Sequence, residues 1–515
     1  MSSDIDDRSG LNLVPRPRFA RRLKGEVELR SPLTICGPDH PILDRLAEDL
    51  AGALGGAVHR CAGEQGCGAG LSFSISPAEP GSYALTIDQE VTVLASDSDG
   101  LASAVATLRQ LVSGSLFSRS EKHHQVLSLP RLRLVDAPTF AWRGAHLDVA
   151  RHFFSTNVVC RFMDLLHLHK LNHLHLHLND DQGWRVEVQG WPKLTEVGAW
   201  RSSTSQGRIG ELHDNGIAHG GFYTASDIAQ LCSYAEGLGI TLVPEIDFPG
   251  HALSALAAYP EFGNTGERFA VGTQWGISSH VLNMTAEAIE FATSVTSEVA
   301  ALFPGSPVHI GGDECPTSEW KHHEVAQALM DEQGFREPRA LQGLYTTKLA
   351  RTVAALGRKV LAWDEVLDAE VEPNTIIVAW RHVLLGIRAA RAGHDVVMAP
   401  MEFTYLDWAQ SEDPSEPIAI LPPPFATPWQ KVYAFEVIPA ALEEALHHRI
   451  LGAQVQLWTE YIPTQDHMDY MAFPRLSAFA EVVWGTQGQQ HAFARRLHCH
   501  LERLSLLQVK FRPID

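Results

Sequence analysis

The stretch ASDIAQLCSYAEGLGITLVPEIDFPGH, residues 225–251, runs from an amphipathic segment through glycine to a short apolar run that ends in polar residues. Apolar residues recur at helical spacing over 225–238, and the run at 240–246 has the length and apolar character of a strand buried on both faces. A helix that leads directly into a buried strand is typical of a parallel α/β sheet. The stretch therefore predicts one unit of a repeating α/β fold.

The alternation of strand, loop and helix repeats from residue 142 onward. Eight strands are predicted, at 145–149, 171–178, 240–246, 307–311, 359–363, 375–380, 395–399 and 453–458. Helical patterns lie at 157–169, 225–238, 286–303, 339–356, 383–392 and 438–448, with a closing helix at 471–483. Eight such strands separated by helices predict a (β/α)8 TIM barrel.

The chain before the barrel has a different pattern. Short strands are predicted at 26–30, 71–75, 83–87 and 91–95, with one helix at 99–113, between glycine and proline turns. We expect a small α+β domain over residues 1–138 and the barrel over 139–515. The boundary falls in the proline-marked segment SLPRLRLVDAPTF, residues 128–140.

Composition excludes several classes of protein. The 61 acidic and 41 basic side chains give a formal charge of −20 without a long basic run, so nucleic acid is not an expected partner. No apolar run reaches membrane-spanning length, and the polar start MSSDIDDRSGLN does not look like a secretion signal, which predicts a cytoplasmic location. The seven cysteines are scattered and odd in number, so reduced thiols are expected.

Chemically versatile residues follow the predicted strands repeatedly. TIM-barrel enzymes place their chemistry on the loops after the carboxyl ends of the strands. In strand order these positions hold Arg151, Asp180, His251, Asp313 with Glu314, Trp363, Trp380, Tyr405 with Asp407, and Trp458 with Glu460. One tryptophan at a strand end is usually a core residue, but three of them beside carboxylates and an arginine favour a carbohydrate pocket.

The adjacent acids Asp313 and Glu314 follow an apolar strand and two glycines in HIGGDE, residues 309–314. A lone Asp-Glu pair is normally an acidic loop or a helix cap, but this position makes it a catalytic candidate. Adjacent residues project to different sides of the chain, so they are badly placed to act as an acid and a nucleophile on opposite faces of a sugar. Glu314 could instead protonate the leaving oxygen while Asp313 orients a nucleophile that belongs to the substrate.

Several histidines and one cysteine admit competing interpretations. The alternation HLHLH at 173–177 would suit a metal ion, and a rival hypothesis is a metal-dependent barrel hydrolase built on His175, His177 and Asp313. Packed, hydrogen-bonded histidines are the favoured interpretation, with neither metal nor cofactor expected. His251 is either an ordinary loop histidine or a residue that tunes Glu314 through Asp180, and Cys315 is given no role.

Eight segments in order carry a family resemblance: RGAHLDVARHFF (143–154), LHLHLNDDQGWR (174–185), HGGFYTASDI (219–228), LVPEIDFPGH (242–251), HIGGDE (309–314), LAWDEVLD (361–368), YLDW (405–408) and LWTE (457–460). Together they resemble glycoside hydrolase family 20, the β-N-acetylhexosaminidases. The similarity extends over most of residues 140–485. The preceding region, with NLVPRPRF at 12–19, resembles the small non-catalytic domain that commonly precedes this barrel.

The resemblance implies a retaining exo-glycosidase that removes terminal β-linked GlcNAc or GalNAc through an oxazolinium intermediate. Glu314 would be the general acid/base, Asp313 would hold the acetamido nitrogen, and Tyr405 would bind the acetamido oxygen. The same resemblance implies that Asp180 and His251 would support the acid/base. Trp363, Trp380 and Trp458 would form the walls of the pocket. The hydroxyls of the sugar would be bound by Arg151, Asp407 and Glu460. A carbohydrate-binding homologue without turnover is the other alternative, and the intact Asp313, Glu314 and Tyr405 argue against it.

Overall fold

The barrel predicted from the sequence is present in the computed structural model, which describes residues 10–63, 70–112, 124, 126–207, 212–369, 371–420 and 425–514. Eight parallel strands close on themselves in chain order. They are Trp142–Asp148, His173–His177, Thr241–Glu245, Val308–His309, Val360–Trp363, Thr375–Ala379, Val396–Met398 and Ile450–Val455. Their side chains are almost all buried, because the barrel interior lies on one face and the ring of helices on the other.

Helices cover the outside of the barrel, and the first two helices of the chain pack against strands that precede the barrel. The α-helices are Pro41–Leu54, Ser98–Leu111, Thr156–Leu168, Lys193–Glu196, Ala225–Glu236, Leu253–Ala258, Ala286–Leu302, Glu324–Gln333, Arg339–Ala355, Val383–Arg391, Met401–Thr404, Trp429–Tyr433, Gln465–Ala472, Arg475–Trp484 and Gln490–Leu506. The 3-10 helices are Pro260–Phe262, Glu319–Lys321, Asp364–Asp368 and Glu444–Arg449. Short paired strands in the loop after the second barrel strand are Asn179–Asp180 with Gly183–Trp184, Trp200–Arg201 with His219–Gly220, and Ser205–Gln206 with His213–Asp214.

The C-terminal helices differ from the prediction. The helix expected at 438–448 is only the 3-10 helix Glu444–Arg449. The closing helix expected at 471–483 is two helices, Gln465–Ala472 and Arg475–Trp484, which meet at Pro474. Proline cannot donate the backbone hydrogen bond that would continue the first of them. The last helix, Gln490–Leu506, was not predicted.

A seven-stranded mixed sheet precedes the barrel. Its order is Phe19–Leu29, Leu127–Asp136, Tyr83–Ile87, Val91–Ala95, Leu71–Ile75, Leu33–Gly37 and Val58–Ala62. The proline-marked segment 128–140 is therefore mostly a strand rather than a connection. The predicted helix at 99–113 is observed as Ser98–Leu111, and residue 113 lies outside the described residues.

A buried ion pair joins this sheet to the barrel. Lys170 Nζ lies 2.8 Å from Asp136 Oδ2 and 2.9 Å from Tyr83 Oη, and Trp484 Nε1 donates to Asp136 Oδ1 over 2.8 Å. All four side chains are buried, so the donors around Asp136 compensate the loss of its hydration.

Two further expectations concern membrane-spanning segments and the cysteines. Among the described residues no helix is long and apolar enough to cross a membrane. Cys160, Cys232, Cys315 and Cys499 carry free thiols, and Cys67 lies outside the described residues.

Candidate active site

The two adjacent acids lie in a tight loop after the fourth barrel strand. Gly311 and Gly312 have positive φ angles of 65° and 97°, and a Cβ on Gly311 would come within 1.9 Å of the carboxylate of Asp247. Glu314 also has a positive φ, 43°, which a non-glycine residue adopts only at a cost of about 1–3 kcal/mol. The loop buries the Asp313 side chain and leaves that of Glu314 about one third exposed.

Asp313 is buried against a second carboxyl group, that of Asp247, to which the sequence analysis assigned no role. A hydrogen bond joins the two side chains, and the backbone N–H of Gly312 donates to Asp247 Oδ1 over 2.8 Å. Burial, followed by the proximity of Asp247, raises the pKa of Asp313 well above its usual range, and burial does the same to Asp247. Two buried carboxyl groups in contact share a proton, because both cannot ionise together.

His251 connects this acid pair to Asp180. Its Nδ1 lies 3.2 Å from Asp180 Oδ1, and its Nε2 lies 3.7 Å from both Asp313 Oδ2 and Glu314 Oε2. Burial opposes ionisation of this imidazole, but the carboxylates of Asp180 and Asp313 outweigh it and raise its pKa to about 10. The structure thus places a cationic imidazole between Asp180 and the two candidate catalytic acids.

Asp180 also holds Arg151. Arg151 Nη2 lies 2.7 Å from Asp180 Oδ2, and its Nη1 lies 3.5 Å from Asp148 and 3.9 Å from Glu460. The guanidinium carbon stands 5.0 Å from the centroid of the Trp458 ring, within cation–π range. Asp180 lies behind the pocket and orients two of its lining residues.

Three tryptophans and a tyrosine form the walls. Trp363 donates to Glu245 over 2.7 Å and Trp380 to Glu365 over 2.9 Å. These bonds fix both indole rings, and Trp380 stacks on Tyr405 with the centroids 6.0 Å apart. The hydroxyl of Tyr405 is hydrogen bonded to Trp458.

The pocket has a volume of about 280 Å³ and gathers all the predicted site residues except Asp180. It is lined by Arg151, His251, Asp313, Glu314, Trp363, Trp380, Met401, Tyr405, Asp407, Trp408, Ile420, Trp458 and Glu460. Burial and the nearby Glu460 raise the pKa of Asp407 well above its usual range. Within the described part of the chain, Asp407 Oδ1 is a buried atom without a hydrogen-bond partner, as expected of an acceptor that awaits a substrate hydroxyl.

Sequence reasoning missed several residues of this site. Trp408 belongs to the quoted motif YLDW and could have been found from it. Met401 begins a four-residue helix and Ile420 lies in an irregular loop, and neither belongs to a distinguishing sequence pattern. Glu365 supports Trp380, and burial, with help from Asp313, raises its pKa to about 8.

The metal-dependent alternative is not favoured by the geometry. Both ring nitrogens of His177 contact carboxylates, Glu245 at 2.5 Å and Asp180 at 2.9 Å. Among the described residues, three groups have potential ligand atoms within 4.8 Å of one another, and none of them combines His175, His177 and Asp313. The group nearest the acids consists of Asp247, His251 and Asp313, which the hydrogen bond and ion pair described above already explain.

Comparison with known proteins agrees with this geometry. The family model "Glycosyl hydrolase family 20, catalytic domain" matches residues 140–487, and the model of "domain 2" of that family matches residues 10–137. The β-hexosaminidase of Porphyromonas gingivalis is 33% identical over 98% of this chain, which spans 64% of the relative's length. That of Vibrio furnissii is 35% identical over 92% of this chain and 76% of its own.

Solved structures give the same relationship. The family 20 exo β-N-acetylglucosaminidase of Vibrio harveyi, in complex with N-acetylglucosamine, superposes with a TM-score of 0.84 at 31% identity, over 98% of this chain and 78% of that one. A mutant Streptomyces plicatus β-hexosaminidase in complex with its product GlcNAc gives a TM-score of 0.83 at 27% identity, over 98% and 97%. The barrel, its preceding sheet and the pocket around Asp313 and Glu314 thus belong to a glycoside hydrolase, and the chain is a member of glycosyl hydrolase family 20.

Proposed function

We propose that this chain is a retaining exo-β-N-acetylhexosaminidase, which removes terminal non-reducing β-linked GlcNAc or GalNAc. The observation that carries the proposal is the placement of Asp313 and Glu314, on consecutive residues of one loop and both 3.7 Å from the same nitrogen of His251. Acids that enter from one loop are poorly arranged to flank an anomeric carbon from opposite faces. We therefore assign the nucleophile to the substrate, and membership of glycosyl hydrolase family 20 points to its 2-acetamido oxygen.

Each group has a defined part in the two steps. Glu314, the more exposed acid, gives its proton to the leaving oxygen while the acetamido oxygen attacks the anomeric carbon and the glycosidic bond breaks. Asp313 accepts the acetamido N–H, and Tyr405 donates to the acetamido oxygen. Glu314 then removes a proton from water, which opens the oxazolinium ring and releases the sugar with its configuration retained.

The walls explain why an acetamido sugar is favoured. Trp363, Trp380 and Trp458 offer apolar faces to the acetamido methyl group and the sugar ring, and so favour the compact conformer in which attack occurs. Arg151, Asp407 and Glu460 lie together and would bind the hydroxyls of the terminal sugar. A volume of about 280 Å³ suits a single terminal residue, which supports exo action.

The organisation of the whole chain belongs to the same proposal. A small domain over residues 1–138 and a catalytic barrel over 139–515 are supported by family matches at 10–137 and 140–487. The cytoplasmic location and the absence of a nucleic-acid partner stay predictions.

The test is hydrolysis of the 4-nitrophenyl β-glycosides of GlcNAc, GalNAc and glucose by the purified chain, alongside Asp313→Asn and Glu314→Gln. We expect release from one or both N-acetyl sugars but not from glucose, and strong impairment of both variants. Asp395→Asn and Glu443→Gln are matched controls, because these acids form exposed ion pairs away from the pocket. Equal turnover of the glucoside, or full activity in either site variant, would contradict the acetamido-assisted mechanism.

A further inference from the structure

Two histidines of the HLHLH strand, His175 and His177, contact one buried carboxylate beneath the pocket, that of Glu245. Glu245 Oε2 lies 2.5 Å from His177 Nδ1 and 3.2 Å from His175 Nε2. Its Oε1 lies 2.7 Å from Trp363 Nε1 and 3.0 Å from His309 Nδ1. Glu245 therefore ties a pocket wall to strands two, four and five of the barrel, and nothing in the proposed mechanism uses it.

His177 is the member of this cluster that reaches the active site. Its Nε2 lies 2.9 Å from Asp180 Oδ2, the atom that also pairs with Arg151. An imidazole between two carboxylates donates to both only when it carries two N–H groups, which makes it a cation. Burial opposes that charge, but Glu245 and Asp180 outweigh burial and raise the pKa of His177 to about 10.

Charged groups face His177 from every neighbouring strand. Glu245 lies on the third strand. His175 lies on the same strand as His177, and Asp180 lies just after the end of that strand. From the first strand come Asp148, opposite His177 in register, His146, with its ring centroid 5.9 Å away, and Arg151 beyond the strand end. His146 is buried and its pKa is well below the usual range, first because of burial and then because of His175 and His177, so it stays neutral.

We propose that His177, fixed by Glu245, is a positioning residue that holds Asp180 in the single orientation in which it serves Arg151 and His251 together. The inference rests on the proposed function. Asp180 offers Oδ2 to His177 and Arg151 and Oδ1 to His251. Without the donor at His177, Arg151 alone holds Oδ2, while Oδ1 keeps the Asp181 backbone N–H and His251, so the carboxylate shifts toward Arg151 and its contact with His251 loosens.

The test compares His177→Gln and Glu245→Gln on two aryl β-glycosides of GlcNAc, one with phenol and one with 2,4-dinitrophenol as leaving group. A glutamine side chain cannot donate to two carboxylates on opposite sides, so Asp180 or Glu245 loses its partner. We expect kcat/KM for the phenyl glycoside to fall about 10- to 100-fold, the usual scale for groups that orient a reacting residue. The fall for the dinitrophenyl glycoside should be much smaller, because that leaving group needs little help from an acid.

His173→Gln is the matched control. It changes the same residue type on the same strand, but His173 stacks on Trp142 with the ring centroids 3.8 Å apart, and its Nδ1 pairs with Asn172 rather than with Glu245. Its kcat/KM should stay within twofold of the unmodified chain for both glycosides. Thermal unfolding of each variant separates a local effect from loss of the fold.

A second measurement does not depend on turnover. In nitrogen-15 histidine spectra of the unmodified chain, the signal that disappears in His177→Gln should be that of an imidazolium at pH 8. Equal losses for both glycosides, unchanged activity, or a neutral imidazole at pH 8 would each overturn the proposal. An unmodified chain that hydrolyses neither glycoside would instead overturn the proposed function, while the protonation state of His177 would still be decided by the spectra.

Discussion

Asp313 and Asp247 lie side by side in the buried wall of the pocket, with a hydrogen bond between their carboxyl groups. Burial raises the pKa of both groups, and Asp247 raises that of Asp313 further by repulsion, so the pair holds one proton over a range in which an isolated carboxyl would be ionised. In the proposed mechanism Asp313 accepts the acetamido N–H as a carboxylate. Activity should therefore decline on the acid side as the pair takes up its second proton.

Replacing Asp247 by asparagine should extend activity to lower pH. The change removes the repulsion, so the pKa of Asp313 falls and Asp313 stays ionised in more acidic solution. We expect the acid limb of kcat/KM to move down by about one pH unit, the scale of a carboxylate pair in contact. The check is a pH profile for 4-nitrophenyl β-GlcNAc, and an unmoved acid limb would argue against a shared proton.

Removing the hydroxyl of Tyr405 should slow the chemical step. The Tyr405 side chain is buried in the pocket and its hydroxyl is hydrogen bonded to Trp458, so its position is fixed before the substrate binds. Loss of one fixed donor at a site of developing charge costs about 100- to 1000-fold in kcat. Tyr405→Phe should show that fall with a small change in KM, whereas Tyr470→Phe, outside the pocket, should not. A mainly KM effect would assign Tyr405 to binding rather than to attack.

Substrates that each lack one hydroxyl should show which hydroxyl Asp407 binds. Its Oδ1 is buried and has no hydrogen-bond partner among the described residues, so we expect it to accept a hydrogen bond from one hydroxyl of the sugar. A substrate without that hydroxyl cannot form this hydrogen bond. Asp407→Ala should lower kcat/KM for the GlcNAc glycoside about 10- to 100-fold, as a buried hydrogen bond to a carboxyl group implies. The loss should shrink on either the 4-deoxy or the 6-deoxy analogue. A loss of the same size on both analogues would mean that Asp407 binds neither hydroxyl.

Chelation should leave the activity intact. His175 and His177 already contact Glu245, and His177 also contacts Asp180, so a metal ion would have to displace existing partners. We expect EDTA-treated protein to retain full activity and elemental analysis to find less than one transition-metal ion per chain. Loss of activity that added zinc restores would revive the metal-dependent hydrolase.

The ion pair between Lys170 and Asp136 should matter for stability and not for turnover. Lys170→Met leaves Asp136 buried beside Trp484 and Tyr83 without its cation, a change that costs about 3–5 kcal/mol. The apparent melting temperature should fall by several degrees, while Lys348→Met, on an exposed helix surface, should not move it. Adding Asp136→Asn should recover part of the loss, and an additive effect would rule out the pairing.

The barrel was predictable because its strands are short apolar runs followed by unusual polar residues. The run at 359–363, for example, is observed as Val360–Trp363, and its terminal Trp363 was identified as a wall. The C-terminal helices were less accessible: Gln490–Leu506 alternates charge and apolar residues without a strong start signal, and Pro474 breaks a pattern that looks continuous.

The pocket residues that were predictable are those of a chemically distinctive type at a strand end. Residues whose role depends on a contact with a distant side chain were not predictable. Asp313, Glu314 and the tryptophans could be recognised from their residue type and their position after a predicted strand. The hydrogen bond between Asp247 and Asp313, and the gathering of His175, His177 and Trp363 on Glu245, depend on which residues the closed barrel brings face to face. Sequence order carries no such information for residues that lie 66 or 118 positions apart.

The sharing of Asp180 between Arg151 and His251 constrains how this enzyme can change. In the proposed function Arg151 binds the sugar and His251 supports proton transfer. A mutation that changes sugar recognition through Arg151 would therefore also disturb His251 through Asp180 and lower the rate of catalysis. Met401, Trp408 and Ile420 line the same pocket without any tie to Asp180 among the described contacts. Divergence toward other terminal sugars should therefore begin at these three residues, while Arg151 stays unchanged.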